Sequence, residues 1–249
     1  MSGNALAIVP CFNEASRFPS QTFASFVKSN PDFHFLFVDD GSSDGTFVRL
    51  DALVKENPVQ LSVLKLEINQ GKAEAVRRGF LKGLERDYAY LAYWDADLAT
   101  PLSVLPLFIQ VFGKHPEVEM VFGARIKLMG SDIRRSMVRH YLGRVFATCA
   151  SWVLGLSIYD TQCGAKMFRR TETLQRMFAE PFHSRWIFDV ELIARYLKFG
   201  NINPDAAENL IREYPLPAWH DIKGSKIKLF DFFRAIAELF VIYQKYGRS

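Results

Sequence analysis

The feature that most constrains this chain is an alternation running from its start to about Gly123. Short apolar runs rich in aromatic and β-branched residues lie at 5–10, 34–39, 61–66, 89–94 and 118–123. Between them come helix-patterned stretches near 20–29, 45–57, 71–86 and 101–113. The runs read as buried strands, and strand–helix alternation with short connections predicts a largely parallel sheet covered by helices on both faces. Asp44 with Thr46, and Thr100 before Pro101, mark helix starts, Pro101 suiting a first helical position. In open α/β sheets ligands bind beyond the carboxyl ends of the strands, so the residues that follow each apolar run carry the most information.

After Gly123 the pattern changes. Arg125 to Arg144 is rich in Arg and Lys, and an apolar run over 145–158 follows. A strand at Lys166–Phe168, helices near 171–178 and 188–199, and a final helix over 225–245 complete the reading. No internal repeat or low-complexity linker divides the chain. The expectation is one α/β domain with a helical C-terminal third, its two halves meeting near 123–124.

Four strand-end clusters carry chemistry. Val9-Pro10-Cys11-Phe12-Asn13-Glu14 closes the first strand; alone it reads equally as a plain turn with a helix cap. The second strand ends at Asp39-Asp40, followed by Gly41 to Thr46. A glycine-rich turn with a cap at Asp44 explains the latter part but not two adjacent acids after a buried strand. Those acids suit the imide or amide hydrogens of uracil or guanine and ribose hydroxyls. Gly71 and Lys72 stand at a helix start, where backbone amides and the helix dipole favour a diphosphate. Lys72 is a cation at the positive end of that helix, a small cost that a bound anion would offset. Asp95-Ala-Asp97 has the form of a clamp for Mg²⁺ or Mn²⁺, which take one or two carboxylates plus phosphate oxygens and water. A lone pair of this kind is an ordinary surface turn, a reading that weakens when three other polar strand ends precede it.

Composition excludes several classes. With 49% hydrophobic and 23% charged residues in 249, and a formal net charge of +4, the balance is that of a globular protein. Basic residues are not gathered into a tail and no zinc-finger or RNA-binding signature occurs, so nucleic acid is not an expected partner. Cys11, Cys149 and Cys163 are odd in number and far apart, which suits buried thiols in a reducing compartment. The chain shows no signal-peptide pattern near its start, and its longest uncharged run, from Val145 to Tyr159, is shorter than the ~20 residues that span a bilayer. The five histidines lack metal-ligand spacing, and the first strand ends without the glycine fingerprint of dinucleotide-binding folds.

Taken together, Pro10-x-x-Asn13-Glu14, Val38-Asp-Asp-Gly-Ser-x-Asp-x-Thr46, Asn69-x-Gly-Lys72-x-x-Ala75-x-Arg77-x-Gly79 and Asp95-Ala-Asp-Leu98 resemble the inverting family-2 glycosyltransferases of GT-A fold. Asp160-Thr-Gln-Cys-Gly-Ala-Lys166-Met-Phe-Arg169, Trp186-Ile-Phe-Asp-Val-Glu191 and Gly224-Ser-Lys226 narrow the resemblance to polyprenyl-phosphate sugar synthases. The resemblance implies a nucleotide-sugar-binding half over 1–123 and an acceptor-binding half over 124–249. Pro10, Asn13, Glu14, Asp39 and Asp40 would line the nucleotide pocket, with Lys72 and Arg77 on the diphosphate side and Asp95 and Asp97 on the metal. Asp160, Lys166 and Arg169 would act at the acceptor phosphate or donor sugar, with Arg125 and Glu191 nearby. Leu98 to Pro101 is closer to the glucosyl than the mannosyl type, so UDP-glucose ranks before GDP-mannose as donor. The implied acceptor is a polyprenyl or dolichyl phosphate, met by a peripheral protein at the cytosolic face of a membrane.

Two regions suit an isoprenoid. Arg125, Lys127, Arg134, Arg135, Arg139 and His140 precede Phe146, Trp152 and Leu154, and the last helix offers Phe230, Phe232, Phe233, Phe240 and Tyr243. This is an interfacial membrane pattern. Both helices could instead pack on the sheet or in a homo-oligomer, a reading that stands level for the last helix, and a separate membrane-anchoring partner is left open. A transferase extending a glycan, lipid or protein acceptor, and a catalytically silent binding domain, are the alternatives to the lipid-phosphate reading.

Overall fold

A computed structural model describes residues 4–134, 137–220 and 229–247, and the side chains among them except at 134–140 and 229–233. The first half follows the alternation: β1 (Ala5–Cys11), α1 (Ser20–Ser29), β2 (Phe33–Asp40), α2 (Thr46–Glu56), β3 (Leu61–Leu66), α3 (Lys72–Leu84), β4 (Tyr90–Trp94), α4 (Val104–Lys114) and β5 (Met120–Ala124). The second half adds β6 (Asp132–Arg134), α5 (Met137–Leu154), β7 (Ala165–Arg169), α6 (Glu172–Ala179), α7 (Phe188–Gly200), α8 (Pro204–Leu210), β8 (Ile211–Pro215), β9 (Ala218–His220) and α9 (Leu229–Tyr246).

Seven strands form one mixed sheet in the order β3-β2-β1-β4-β7-β5-β8, and β6 pairs with β9 separately. Every neighbouring pair is parallel except those of β7, which runs antiparallel to both β4 and β5. Alternating side chains of β1 divide between two cores, as the pleat requires. Leu6 and Ile8 pack with α3, α5, α6, α7 and α9, while Ala5, Ala7 and Val9 pack with α1, α2 and α4. Rings fill both layers. Phe80 of α3 stacks on Phe178 of α6 at 3.9 Å and meets Phe168 of β7 edge-on at 5.6 Å. Each such side chain contributes about 1.5–3 kcal/mol by leaving water.

Several local expectations change. Pro101 opens a turn instead of a helix: Val104 N donates to Pro101 O at 3.1 Å, and α4 begins three residues later than Pro101. Thr100 is used differently, its carbonyl accepting from Trp94 Nε1 at 2.8 Å. The sequence reading passed over β6, α8, β8 and β9. Of these, α8 carries a legible start, with Pro204 in its first turn and Asn203 Oδ1 accepting from Ala206 N at 2.7 Å. Cys11 and Cys163 are buried, but Cys149 is only half-buried. The side chains of Arg134, Arg139, His140, Phe230, Phe232 and Phe233, together with Arg135 and 224–226, lie outside the described residues.

A candidate donor site at the strand ends

The carboxyl ends of β1, β2 and β4 and the amino end of α3 enclose a cavity of about 370 Å³. Its lining includes Pro10, Phe12, Glu14, Asp40, Gly71, Lys72, Asp95 and Asp97. Six residues singled out in the sequence therefore meet in one place, although they are spread over almost ninety positions.

The loops that bring them together are tied by short polar side chains. Asp40 does not face a ligand freely: its Oδ1 and Oδ2 accept from Gln70 N and Gly71 N, both at 2.8 Å, fixing the turn that starts α3. Gly41 (φ +66°) lies against that turn, and a Cβ there would collide with the Ile68 backbone. Asn13, also left-handed (φ 52°), accepts from Ser43 N and receives no place in the cavity wall; it laces β1's exit to the 41–46 turn. Glu14 N donates to Thr46 Oγ1 at 2.7 Å, and the Glu14 carboxylate pairs with Arg17.

Asp39 differs from its neighbour. It is fully buried, its register partner Cys11 lines the cavity, and its Oδ2 has no hydrogen-bond partner among the described residues. A buried carboxylate oxygen left without a donor is costly, and a water or a ligand group would relieve it.

Asp95 and Asp97 follow β4. Lys72 Nζ lies 2.5 Å from Asp95 Oδ1, so the cation at the start of α3 is balanced by the acid turn. Asp97 Oδ1 accepts from Ala99 N at 3.0 Å. Burial first, and the Asp95 charge second, hold the Asp97 carboxyl above the usual range. An acid pair that repels itself and draws in a lysine offers the oxygen donors that a cation takes. Among the described residues no three His, Cys, Asp or Glu side chains form a metal-sized cluster. Two carboxylates fit Mg²⁺ or Mn²⁺, which complete their shells with phosphate oxygens and water. The residues present therefore fit the expected metal.

The second-half residues behave differently. Asp160 grips Arg125 through Nε (2.6 Å), Nη2 (2.7 Å) and the Arg125 amide (3.1 Å), so Asp160 orients Arg125 instead of Lys166 or Arg169. Beside this clamp, Arg144 lies 3.9 Å over the Tyr159 ring and donates to the Tyr159 carbonyl, and the buried Thr161 Oγ1 has no described partner. Neither Arg144 nor Thr161 stood out in the sequence.

Four expected site residues are elsewhere. Arg77 turns from the cavity to pair with Glu74 at 2.7 Å and to donate to the Phe178 and Ala179 carbonyls, capping α6. Arg169 lies at the opposite end of the sheet, opposite Tyr90 in register, and donates to Val118 O and Phe112 O. Glu191 is fully buried against Arg195 at 2.8 Å and accepts from His183 N and Ser184 N, holding the turn before α7. Lys166 has no exposure; its Nζ donates to Tyr93 Oη, Cys163 O and Asp189 Oδ1. Desolvation pushes Lys166 down to about 7 and Asp189 up to about 7, while the three acceptors around Nζ favour the ammonium. Asp189, two residues before Glu191, is the acid that reaches the sheet.

Comparison with known proteins accords with this geometry. The family model described as Glycosyl transferase family 2 matches residues 6–174. Dolichyl-phosphate beta-glucosyltransferases of Dictyostelium discoideum and Saccharomyces cerevisiae are 33% and 30% identical, the matches covering 90% and 96% of this chain and 68% and 74% of theirs. Polyprenol monophosphomannose synthase of Mycolicibacterium smegmatis is 28% identical over 78% of this chain and 72% of its own. Among solved structures, glucosyl-3-phosphoglycerate synthase from Mycobacterium tuberculosis, in complex with Mn²⁺, UDP and glucosyl-3-phosphoglycerate, superposes with a TM-score of 0.67 at 15% identity, covering 98% of this chain and 80% of that one. A mannosyltransferase from Pyrobaculum calidifontis in complex with GDP-Man and Mn²⁺ gives 0.61 at 16%, covering 97% and 63%. With a GT-A fold and a matching family model over most of its length, the chain belongs to glycosyl transferase family 2.

Proposed function

We propose that the protein transfers a hexose, with inversion, from a nucleotide sugar to a polyprenyl phosphate. UDP-glucose is the first donor and GDP-mannose the second. The observation that carries the reading is the convergence of Asp40, the start of α3, Lys72, Asp95 and Asp97 on one cavity, with the buried, unpartnered Asp39 oxygen at the strand position paired with Cys11 of its wall. The lipid-phosphate acceptor draws its support from the names of the relatives.

The unpartnered Asp39 oxygen accepts from the base, and the amino end of α3, fixed by Asp40, receives the diphosphate. Asp95 and Asp97 would hold a divalent ion, which would offset the negative charge that gathers on the departing nucleoside diphosphate. Lys72 then leaves Asp95 for a phosphate oxygen. On the acceptor side a phosphate monoester with a second pKa of ~6 is already largely dianionic at neutral pH, so no strong general base is needed. Asp160, committed to Arg125, keeps that guanidinium aimed at the acceptor phosphate, a bidentate task to which arginine is suited.

The lipid reaches this site from a membrane surface. No helix of the described residues is long and apolar enough to cross a membrane. Yet α5 exposes Tyr141, Val145 and Trp152 along one side, and α9 exposes Phe240, Val241 and Tyr243, with Trp152 and Tyr243 stacked at 5.9 Å. Exposed aromatic residues on two adjacent helices suit an interfacial position.

Purified protein given radiolabelled UDP-glucose or GDP-mannose, Mn²⁺ or Mg²⁺ and polyprenyl phosphate will yield label in the organic phase with one donor. Nucleotide binding without such product would sink the acceptor assignment.

A further inference from the structure

The Lys166 ammonium is a buried junction that the transfer chemistry leaves unused. Its three protons go to Tyr93 Oη at 2.8 Å, Cys163 O at 2.7 Å and Asp189 Oδ1 at 2.6 Å, and Tyr93 also donates to Asp189. These acceptors belong to three different pieces of the site. Tyr93 is two residues before Asp95 on β4. Cys163 ends the turn that begins with Asp160, the partner of Arg125. Asp189 stands in the first turn of α7, where the helix dipole favours a carboxylate.

The two turns are also in direct contact. Asp95 N donates to Gly164 O at 2.9 Å, and a Cβ at Gly164 would collide with the Asp95 carboxylate. The donor turn thus rests on the acceptor turn with no room between them, and Lys166 pins the acceptor turn from beneath. Lys72, 2.5 Å from Asp95, lies 5.9 Å from the centre of the Tyr93 ring, whose other contacts include Lys166.

A buried ion pair is a weak device for stability, because apolar residues of like volume often serve equally well. Its geometric effect is more specific. We propose that Lys166, Tyr93 and Asp189 form a positioning unit that locks the 160–164 turn in register with the Asp95–Asp97 turn, setting the distance between acceptor and donor. The unit acts through Asp95 and Arg125 and touches neither substrate. It rests on the proposed reaction only for the assay that reads it.

The test is the double variant Lys166→Met/Asp189→Asn, which removes the ammonium without leaving a buried charge alone. It is expected to fold and to bind UDP with Mn²⁺ like the parent, with donor KM little changed. Its kcat for lipid-phosphate transfer should fall about tenfold or more, since a ~1 Å misplacement of reacting groups can cost ~100-fold. Amide hydrogen exchange at Asp95 and across 163–165 should quicken about tenfold while β1 and β2 stay protected. A folded double variant with parental kcat and parental exchange overturns the proposal. Should the double variant not fold, Tyr93→Phe removes a single hydroxyl and carries the same expectation at a smaller scale, roughly threefold in kcat; no change in kcat or exchange then overturns it. If the parent protein makes no lipid-linked sugar with either donor, the acceptor assignment has failed, and the exchange comparison still decides the positioning unit.

Discussion

The two halves of the molecule use their charged residues in opposite ways. In the first half, Asp40, Lys72, Asp95 and Asp97 are gathered around open space, and the neighbouring Asp39 keeps a buried oxygen with no described partner. In the second half, Arg125 and Asp160 hold each other, Lys166 and Arg169 donate to backbone carbonyls, and Glu191 accepts from backbone amides. Unspent hydrogen-bonding capacity marks a place for a ligand, whereas capacity spent away from open space, as at Lys166, Arg169 and Glu191, marks scaffold. Residue type alone does not distinguish the two.

The largest effect that sharpens this contrast is expected from Asp97→Asn. Its described hydrogen-bond partner is the Ala99 amide, which the amide oxygen of asparagine still satisfies, and the charge it loses is one that burial and Asp95 disfavour, so thermal stability should hold. Transfer should fall by roughly 10²–10³, the usual cost of losing one electrostatic element of a reacting site. Activity and melting curves on the same preparation check this; a large loss of melting temperature would place Asp97 among the scaffold residues. Next comes Asp39→Asn, which keeps the shape and loses the charge. Calorimetry should show UDP binding weakened about tenfold to a hundredfold, the value of a hydrogen bond to a charged group. Stability should not fall, because the affected oxygen has no described partner to lose.

The contrast is broken from the other side by Arg169→Met. It abandons two carbonyls and contacts with the Tyr90 and Phe112 rings, so stability should drop by about 1–3 kcal/mol. Per folded molecule, activity and UDP affinity should match the parent. Lost affinity at parental stability would return Arg169 to the site.

The misplacement of Arg169 shows where the sequence stops being legible. Every strand before β7 is parallel, so polar residues after an apolar run lie at the ligand-binding edge, and this rule located Pro10, Asp40, Asp95 and Asp97. β7 is inserted antiparallel between β4 and β5. Its start pairs with Trp94 beside the site and its end, Arg169, with Tyr90 at the far edge. No local pattern in Ala-Lys-Met-Phe-Arg reports that reversal, because strand direction is decided by distant pairing. Arg77 turns from the cavity for a different reason: three residues after Glu74 on a helix, it is positioned for an intrahelical pair that competes with any ligand. The short β6, β8 and β9 carry mixed sequences without a two-residue period; by contrast, β1, β2, β4 and β5 are continuous apolar runs buried on both faces, and their boundaries lie within a residue or two of those the runs predict.

The smallest effect concerns protons. Burial and the Asp95 charge raise Asp97, so in the metal-free protein a carbon-13 carboxyl titration should give a midpoint above 3.8, and Asp95→Asn should lower it. A raised value in the fold means that protonated Asp97 favours the fold below its ordinary value, a contribution lost as pH rises through the raised one. A midpoint at or under 3.8 would mean that the two acids do not share one site.

The most direct test of the division between site and scaffold is one calorimetric series. UDP with Mn²⁺ is titrated into the parent protein, Asp39→Asn, Asp97→Asn, Arg77→Met and Arg169→Met, each verified as folded. Binding is expected to weaken strongly in the two aspartate variants and to match the parent in the two arginine variants. An Arg77 or Arg169 variant that loses as much affinity as Asp39→Asn would contradict the assignment of these arginines to the scaffold.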